Sequence, residues 1–217
     1  MTKYGNEKTM VLEASLWLSR NGYFGTQRGT GGNVSLRLVE SSMVITPTSM
    51  EYEGLTPDDI LVVDFDMAVI EGKAGLKPSV ESVLHSTIYR NRPECNAVVH
   101  THQTYGSALA LINTPVPALF DEVSLALGPL IDIIPYALSG SPELASNTAT
   151  KLSNKANAYI IQNHGILALG KTMDKALLNA ELLEKVARAY CLALSTGKPV
   201  TTLPQSTVDL FIALRNS

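Results

Sequence analysis

The amino-acid sequence predicts an α/β domain in which helices are layered on a sheet, and three observations carry that expectation. Short apolar, β-rich runs and segments of helical period alternate along most of the chain. Clusters of Gly, Pro, Asn, Asp and Ser separate them at short intervals, as turns do. Of the 217 residues, 45% are hydrophobic, enough for one sizeable core and too few to argue for two, so residues 1–217 are read as a single domain.

The elements follow in order. Over residues 7–23, Met10, Val11, Ala14, Leu16, Trp17 and Leu18 recur at helical spacing, and Asn21-Gly22 supplies the stop. Strand-like runs come next at 34–38, 43–46 and 61–65. A second helix is expected to begin after Lys77-Pro78-Ser79 and to run through Glu81, Leu84, His85 and Ile88 to Asn91, ending before Pro93. A strand over 97–102, a helix over 105–113, a strand over 131–134 and a helix over 142–152, with Pro142 in its first turn, complete the middle of the chain. Residues 158–161 and 166–169 flank Gln162-Asn163-His164-Gly165, a pattern for two antiparallel strands joined by a tight turn. The longest periodic segment, 173–195, carries Ala176, Leu177, Ala180, Leu183, Val186, Ala187 and Tyr190 on one face and is stopped by Gly197 and Pro199. The C-terminal ~20 residues are read as peripheral.

The net charge of -3 arises from interspersed signs with no basic stripe, so neither nucleic acid nor an anionic membrane surface is an expected partner. The N-terminal stretch is polar, and the apolar run after it is interrupted by Glu13 and Arg20. Neither a secretory signal nor a spanning helix is read there, and the protein is expected in the cytoplasm. Cys95 and Cys191 stand far apart with no CxxC spacing and are expected as reduced thiols.

The chain has four histidines, at 85, 100, 102 and 164. Side chains alternate along a strand, so His100 and His102 point to one face and can offer both imidazoles to one ion. A His-x-His pair also decorates strand ends without any metal, and the pair alone leaves both readings open. His164, in a polar turn after an apolar strand, is a third potential ligand or a turn residue bonded to backbone. His85 lies one helical turn after Glu81 and is read as a packing or solvent residue. Glu81 stands at a helix start, where the helix dipole favours a carboxylate for structural reasons alone. The run Arg28-Gly29-Thr30-Gly31-Gly32-Asn33-Val34-Ser35 lacks the Lys-Ser/Thr of a phosphate-cradling nucleotide loop and the third glycine of a dinucleotide fingerprint. It and Thr46-Pro47-Thr48-Ser49 remain hydroxyl- and amide-rich loops suited to an anion, or ordinary turns.

Taken together and in order, Gly29-Thr30-Gly31-Gly32-Asn33-Val34-Ser35, Ile45-Thr46-Pro47-Thr48, Lys77-Pro78-Ser79-Val80-Glu81, Ala97-Val98-Val99-His100-Thr101-His102 and Asn163-His164-Gly165 resemble the class II aldolase/adducin family. The resemblance spans nearly the whole chain. It implies a three-layer α/β/α sandwich on a largely antiparallel sheet, and a homotetramer with active sites between subunits. It also implies His100, His102 and His164 as ligands of Zn2+, with Mn2+ or Co2+ as substitutes, and Glu81 as a resting ligand that becomes the acid/base. Asn33, Thr48, Ser49 and Ser79 become the phosphate site. The sequence departs from the family pattern at Val80, where a second serine is usual, and at Ser49, where glycine is common. After Pro117-Ala118-Leu119, where aldolases of the family carry a proton-donating tyrosine, stand Asp121 and Glu122, the replacement acids.

The implied activity is reversible cleavage of a ketose 1-phosphate into dihydroxyacetone phosphate and a short aldehyde through an enediolate. Decarboxylation, dehydration of methylthioribulose phosphate and 4-epimerisation of a pentulose 5-phosphate are the alternatives on the same scaffold. The epimerases carry aspartate where this chain has Glu81. A non-catalytic, adducin-like module would be expected to have lost the histidines, and this chain keeps them.

Overall fold

The computed structural model describes residues 3–26, 28–39 and 41–216. Its strands are β1 (Asn33–Arg37), β2 (Ser42–Ile45), β3 (Leu61–Asp64), β4 (Val69–Glu71), β5 (Ala97–Thr101), β6 (Val116–Pro117), β7 (Leu130–Ile131), β8 (Ile133–Ile134), β9 (Ala158–Ile161) and β10 (Gly165–Gly170). The helices are α1 (Gly5–Arg20), α2 (Ser82–Asn91), α3 (Thr104–Leu111), α4 (Asp121–Leu127), α5 (Pro142–Lys151), α6 (Met173–Ser195) and α7 (Gln205–Asn216). Eight strands form one sheet in the order β4-β3-β2-β1-β5-β10-β9-β8, antiparallel throughout except where β8 runs parallel to β9.

Period-two alternation explains why both faces of this sheet are covered. Met43, Ile45, Leu61, Val63, Val98, Tyr159, Ile161, Leu167 and Leu169 point to one side and bury Leu84 and Ile88 of α2 and Leu144 of α5. The residues between them, Val44, Val62, Ala97 and Val99, point to the other side against Val11, Leu12 and Leu18 of α1 and Ala176 of α6. Further along that second side, Ala158, Ile160 and Ile166 meet Leu109 of α3, Val123 and Leu127 of α4 and Leu183 and Val186 of α6. The result is the α/β/α sandwich on a largely antiparallel sheet.

Several boundaries differ from the sequence expectation. The segment read as one strand over 131–134 breaks at Asp132 into β7, which pairs with β6, and β8, which pairs with β9. The Asp132 carboxylate is held by the Ile133 amide and the Lys151 ammonium, 2.7 and 2.9 Å away, so the break is stabilised. The first helix stops at Arg20 rather than near 23, and β5 stops at Thr101, leaving His102 just past the strand. Elements β4, β6, α4 and α7 had no counterpart in the sequence reading. Helix α7 is fixed by Phe211 and by Arg215, whose guanidinium donates to the carbonyls of Leu125, Ala126 and Lys155, each at 2.7 Å.

Candidate active site

The site is assembled at the centre of the sheet. His100 lies on β5, opposite Asn33 of β1 on one side and Leu167 of β10 on the other. Even-numbered residues of β5 face α2, so His100 points toward the helix whose N-terminal cap is Glu81. His102 continues in the same phase just beyond the strand. His164 arrives from the turn between β9 and β10, where Asn163 takes a left-handed conformation at φ 54°. Gly165 follows it for a steric reason: a Cβ there would lie 2.4 Å from the Thr101 carbonyl and 2.6 Å from the His102 ring.

The three imidazoles converge. Nε2 of His100 is 2.9 Å from Nε2 of His102 and 3.2 Å from Nε2 of His164, and one ligand atom from each ring lies within 4.8 Å of the others. His100 Nδ1 sits 2.8 Å from the Ile166 carbonyl, which can only accept, so Nδ1 carries the proton and Nε2 presents a lone pair. Ligand nitrogens on a tetrahedral ion with bonds of 2.0–2.1 Å stand about 3.3 Å apart, so the donor set fits a divalent metal. Among the described residues this is the one such group of three or more His, Cys, Asp or Glu side chains.

Glu81 completes the cluster. Its carboxylate lies 3.2 Å from His100 Nε2 and 3.4 Å from His164 Nε2. Asn33 Nδ2 donates to Oε2 at 2.7 Å and Ser139 Oγ donates to Oε1 at 2.8 Å. Burial pulls the Glu81 pKa upward. The His100 and His164 rings and the two hydrogen bonds outweigh it and bring the pKa down to about 2. Burial, reinforced by His100, holds His102 down to about 3 and His164 to about 4. At neutral pH the cluster therefore offers the Glu81 carboxylate with neutral His102 and His164 rings, the form in which such side chains bind a metal.

A cleft of about 220 Å³ opens over these groups, and its wall brings together Asn33, Thr48, Ser49, Ser79, Glu81, His102 and His164 from five stretches of sequence. The Gly31 carbon reaches within a few ångström of the His102 ring, where a side chain would clash: a Cβ would stand 2.8 Å from Nδ1. Ser79 Oγ accepts the Glu81 amide at 3.3 Å. The Asn33 side chain is already engaged on both ends, to Glu81 and to His85, which leaves one amide N–H for a ligand. Asp121 and Glu122 lie elsewhere, in the exposed first turn of α4, with Glu122 paired to Lys185 at 2.7 Å. Neither lines the cleft.

Two residues of the site were not read from the sequence. Ser139 comes from the loop before α5, which carries no periodic signal. His85, set aside as a packing or solvent residue, is fully buried behind the cleft and bonded to Asn33 and Ser35. Burial first, and His100 second, push its pKa down to about 3 against the pull of Glu81.

The sequence profile of the Class II Aldolase and Adducin N-terminal domain matches residues 10–191. L-fuculose phosphate aldolase of Escherichia coli K12 is 35% identical over 202 residues, which cover 93% of this chain and 90% of that protein. The 5-methylthioribulose-1-phosphate/5-deoxyribulose-1-phosphate aldolase of Escherichia coli O45:K1 is 38% identical over 188 residues, 86% of each chain. A solved structure of L-fuculose 1-phosphate aldolase superimposes with a TM-score of 0.88 at 30% identity, covering 98% of this chain and 97% of the other. With sequence and architecture agreeing over this length, the chain belongs to the class II aldolase and adducin family, and it is an aldolase, hence a lyase.

Proposed function

We propose that the enzyme is a metal-dependent aldolase that reversibly cleaves a ketose 1-phosphate into dihydroxyacetone phosphate and a short aldehyde through an enediolate. The observation that carries this reading is the Glu81 carboxylate: buried, ionised, gripped by Asn33 and Ser139, and set between three imidazoles and a hydroxyl-lined cleft. When bound at His100, His102 and His164, a divalent ion supplies a Lewis acid that polarises the substrate carbonyl. Zinc suits three imidazoles, and the same donors accept cobalt or manganese. Glu81, a fourth ligand at rest, removes the proton from the carbon beside that carbonyl and returns it in the reverse direction. The hydroxyls of Thr48, Ser49 and Ser79 and the remaining Asn33 N–H hold the phosphate. Among the described residues no lysine or arginine lines the cleft, so neutral donors carry that task.

The relatives' substrates support the dihydroxyacetone phosphate half. Breaking C3–C4 of L-fuculose phosphate, 5-deoxyribulose 1-phosphate or 5-methylthioribulose 1-phosphate leaves that same triose, with lactaldehyde, acetaldehyde or methylthioacetaldehyde as the partner. In our reading the protein works in the cytoplasm as a homotetramer. Both cysteines are free, which suits a reducing compartment, and Val80 lines the cleft while 61% exposed, leaving an edge for a neighbouring subunit to cover. Asp121 or Glu122 of that neighbour would protonate the aldehyde oxygen.

Proton exchange from C3 of dihydroxyacetone phosphate in heavy water, followed by NMR, tests the reading without any choice of aldehyde. Metal-loaded enzyme is expected to exchange, and the chelated enzyme and Glu81→Gln are expected not to. Absence of exchange in fully metallated protein would overturn it in favour of a decarboxylase or dehydratase.

A further inference from the structure

Behind Glu81 runs a buried string of hydrogen bonds. The Tyr89 hydroxyl lies 2.7 Å from Ser35 Oγ, Ser35 Oγ lies 2.6 Å from His85 Nδ1, His85 Nε2 lies 2.5 Å from Asn33 Oδ1, and Asn33 Nδ2 lies 2.7 Å from Glu81 Oε2. All five side chains are buried, and Ser35, His85 and Tyr89 take no part in lining the cleft.

Every proton in the string is fixed by elimination. The Glu81 carboxylate only accepts, so Asn33 turns its amide nitrogen toward it and its carbonyl toward His85. A carbonyl only accepts, so His85 carries its proton on Nε2. The bare Nδ1 of the neutral ring then takes the Ser35 proton, and the Ser35 oxygen takes the Tyr89 proton. The Tyr89 oxygen is met in turn by the Val98 backbone amide. All donors point one way, toward Glu81, and aligned hydrogen bonds polarise one another. An amide passes no proton along, so the string ends in an orientation rather than a proton transfer.

We propose that His85, held as its Nε2–H tautomer by Ser35 and Tyr89, is a positioning residue for the acid/base: it locks the Asn33 amide so that an N–H, and never the carbonyl, faces Glu81. Without that donor the Asn33 carbonyl is left buried and unpaired, and the orientation of the amide rests on the Glu81 contact alone. The kinetic consequence rests on Glu81 acting as the base; the tautomer does not.

Nitrogen-15 NMR of histidine-labelled, metal-free protein reads the tautomer directly, and protonated Nε2 with bare Nδ1 is the expected result for His85. Kinetics on the metal-loaded enzyme separate locking from packing. His85→Leu loses both the acceptor for Ser35 and the donor to Asn33, whereas the glutamine amide of His85→Gln restores an N–H toward Asn33. His85→Leu is expected to lower kcat for dihydroxyacetone phosphate exchange about tenfold with KM changed less than about threefold, and His85→Gln to recover most of that loss. A proton found on Nδ1, or two folded variants with equal kcat, overturns the proposal. If the loaded wild-type enzyme exchanges no proton, the reaction assignment fails instead, and the NMR result alone decides the lock: Nε2–H sustains it and Nδ1–H overturns it.

Discussion

Helix α2 has a buried charge at each end, and the two ends have opposite fates. Glu81 caps the N-terminus and Arg92 the C-terminus, 3% and 5% exposed, and each suits the sign of the helix dipole at its end. The Arg92 guanidinium is saturated. It donates to the Glu94 carboxylate at 2.5 Å, the Ala156 carbonyl at 2.7 Å and Asn157 Oδ1 at 3.1 Å, with the Lys155 carbonyl and Tyr159 hydroxyl at 3.5 Å. Its donors are spent on closing the 155–157 segment against the helix. Glu81 is held by two donors but also faces His100 and His164, in a cluster where ring nitrogens meet one another. A saturated buried charge fastens the fold, whereas one set among ring nitrogens able to bind an ion defines a site.

Substitutions at the two ends should break this symmetry in opposite observables. Glu81→Gln is expected to slow proton exchange from dihydroxyacetone phosphate about a thousandfold, the scale of a lost general base. Arg92→Ala should leave the bound metal per folded molecule unchanged while lowering stability in urea by about 3 kcal/mol, because buried carbonyls lose their donor. Between about pH 7 and about pH 5.5 acidification should act on the site end, because Glu94 at the Arg92 end, lowered against burial by its hydrogen bond to Arg92, responds only at lower pH. Glu81 at about 2, His85 and His102 at about 3 and His164 at about 4 all lie below their ordinary values of 4.5 and 6.5, so the unfolded chain binds more protons. The chelated protein should therefore lose stability as pH falls, the imidazoles contributing below 6.5 and Glu81 below 4.5. About 1 kcal/mol per pH unit is expected for buried His85, read from urea midpoints at about pH 7 and about pH 5.5. The smallest effect belongs to Ser139→Ala, which leaves Asn33 on Glu81 and should slow exchange about fivefold, the net worth of one typical hydrogen bond.

Much of the fold was legible because it is periodic. Met43, Val44 and Ile45 alternate between the two faces, and Ala176, Ala180, Leu183 and Ala187 follow a helical stripe, so β2 and α6 could be read directly. Strand β4 could not, because it is three residues long with Val69 and Ile70 half exposed. Helix α7 could not either, since the large apolar side chains of Leu210, Ile212 and Leu214 remain exposed, while Phe211 and Arg215 help to fasten it. In the site, the spacing of His100 and His102 declared a shared face. The roles of Glu81 and the hydroxyl loops came only from family resemblance. Ser139 had no signal and His85 only its place one helical turn after Glu81: their contacts join residues 58 and 52 positions apart, through packing that no local pattern encodes.

The unequal anchoring of the three histidines has a consequence for how an ion enters and leaves. His100 is laddered on both sides within the middle of the sheet, where opening requires near-global unfolding, and its amide should be among the slowest to exchange with solvent. His102 lies beyond the strand end and His164 in a turn, where local fraying suffices. Loading and release of the ion should then be a gate with one fixed post and two swinging ones, its rate set by the fluctuations of the β9–β10 turn rather than by the stability of the protein as a whole.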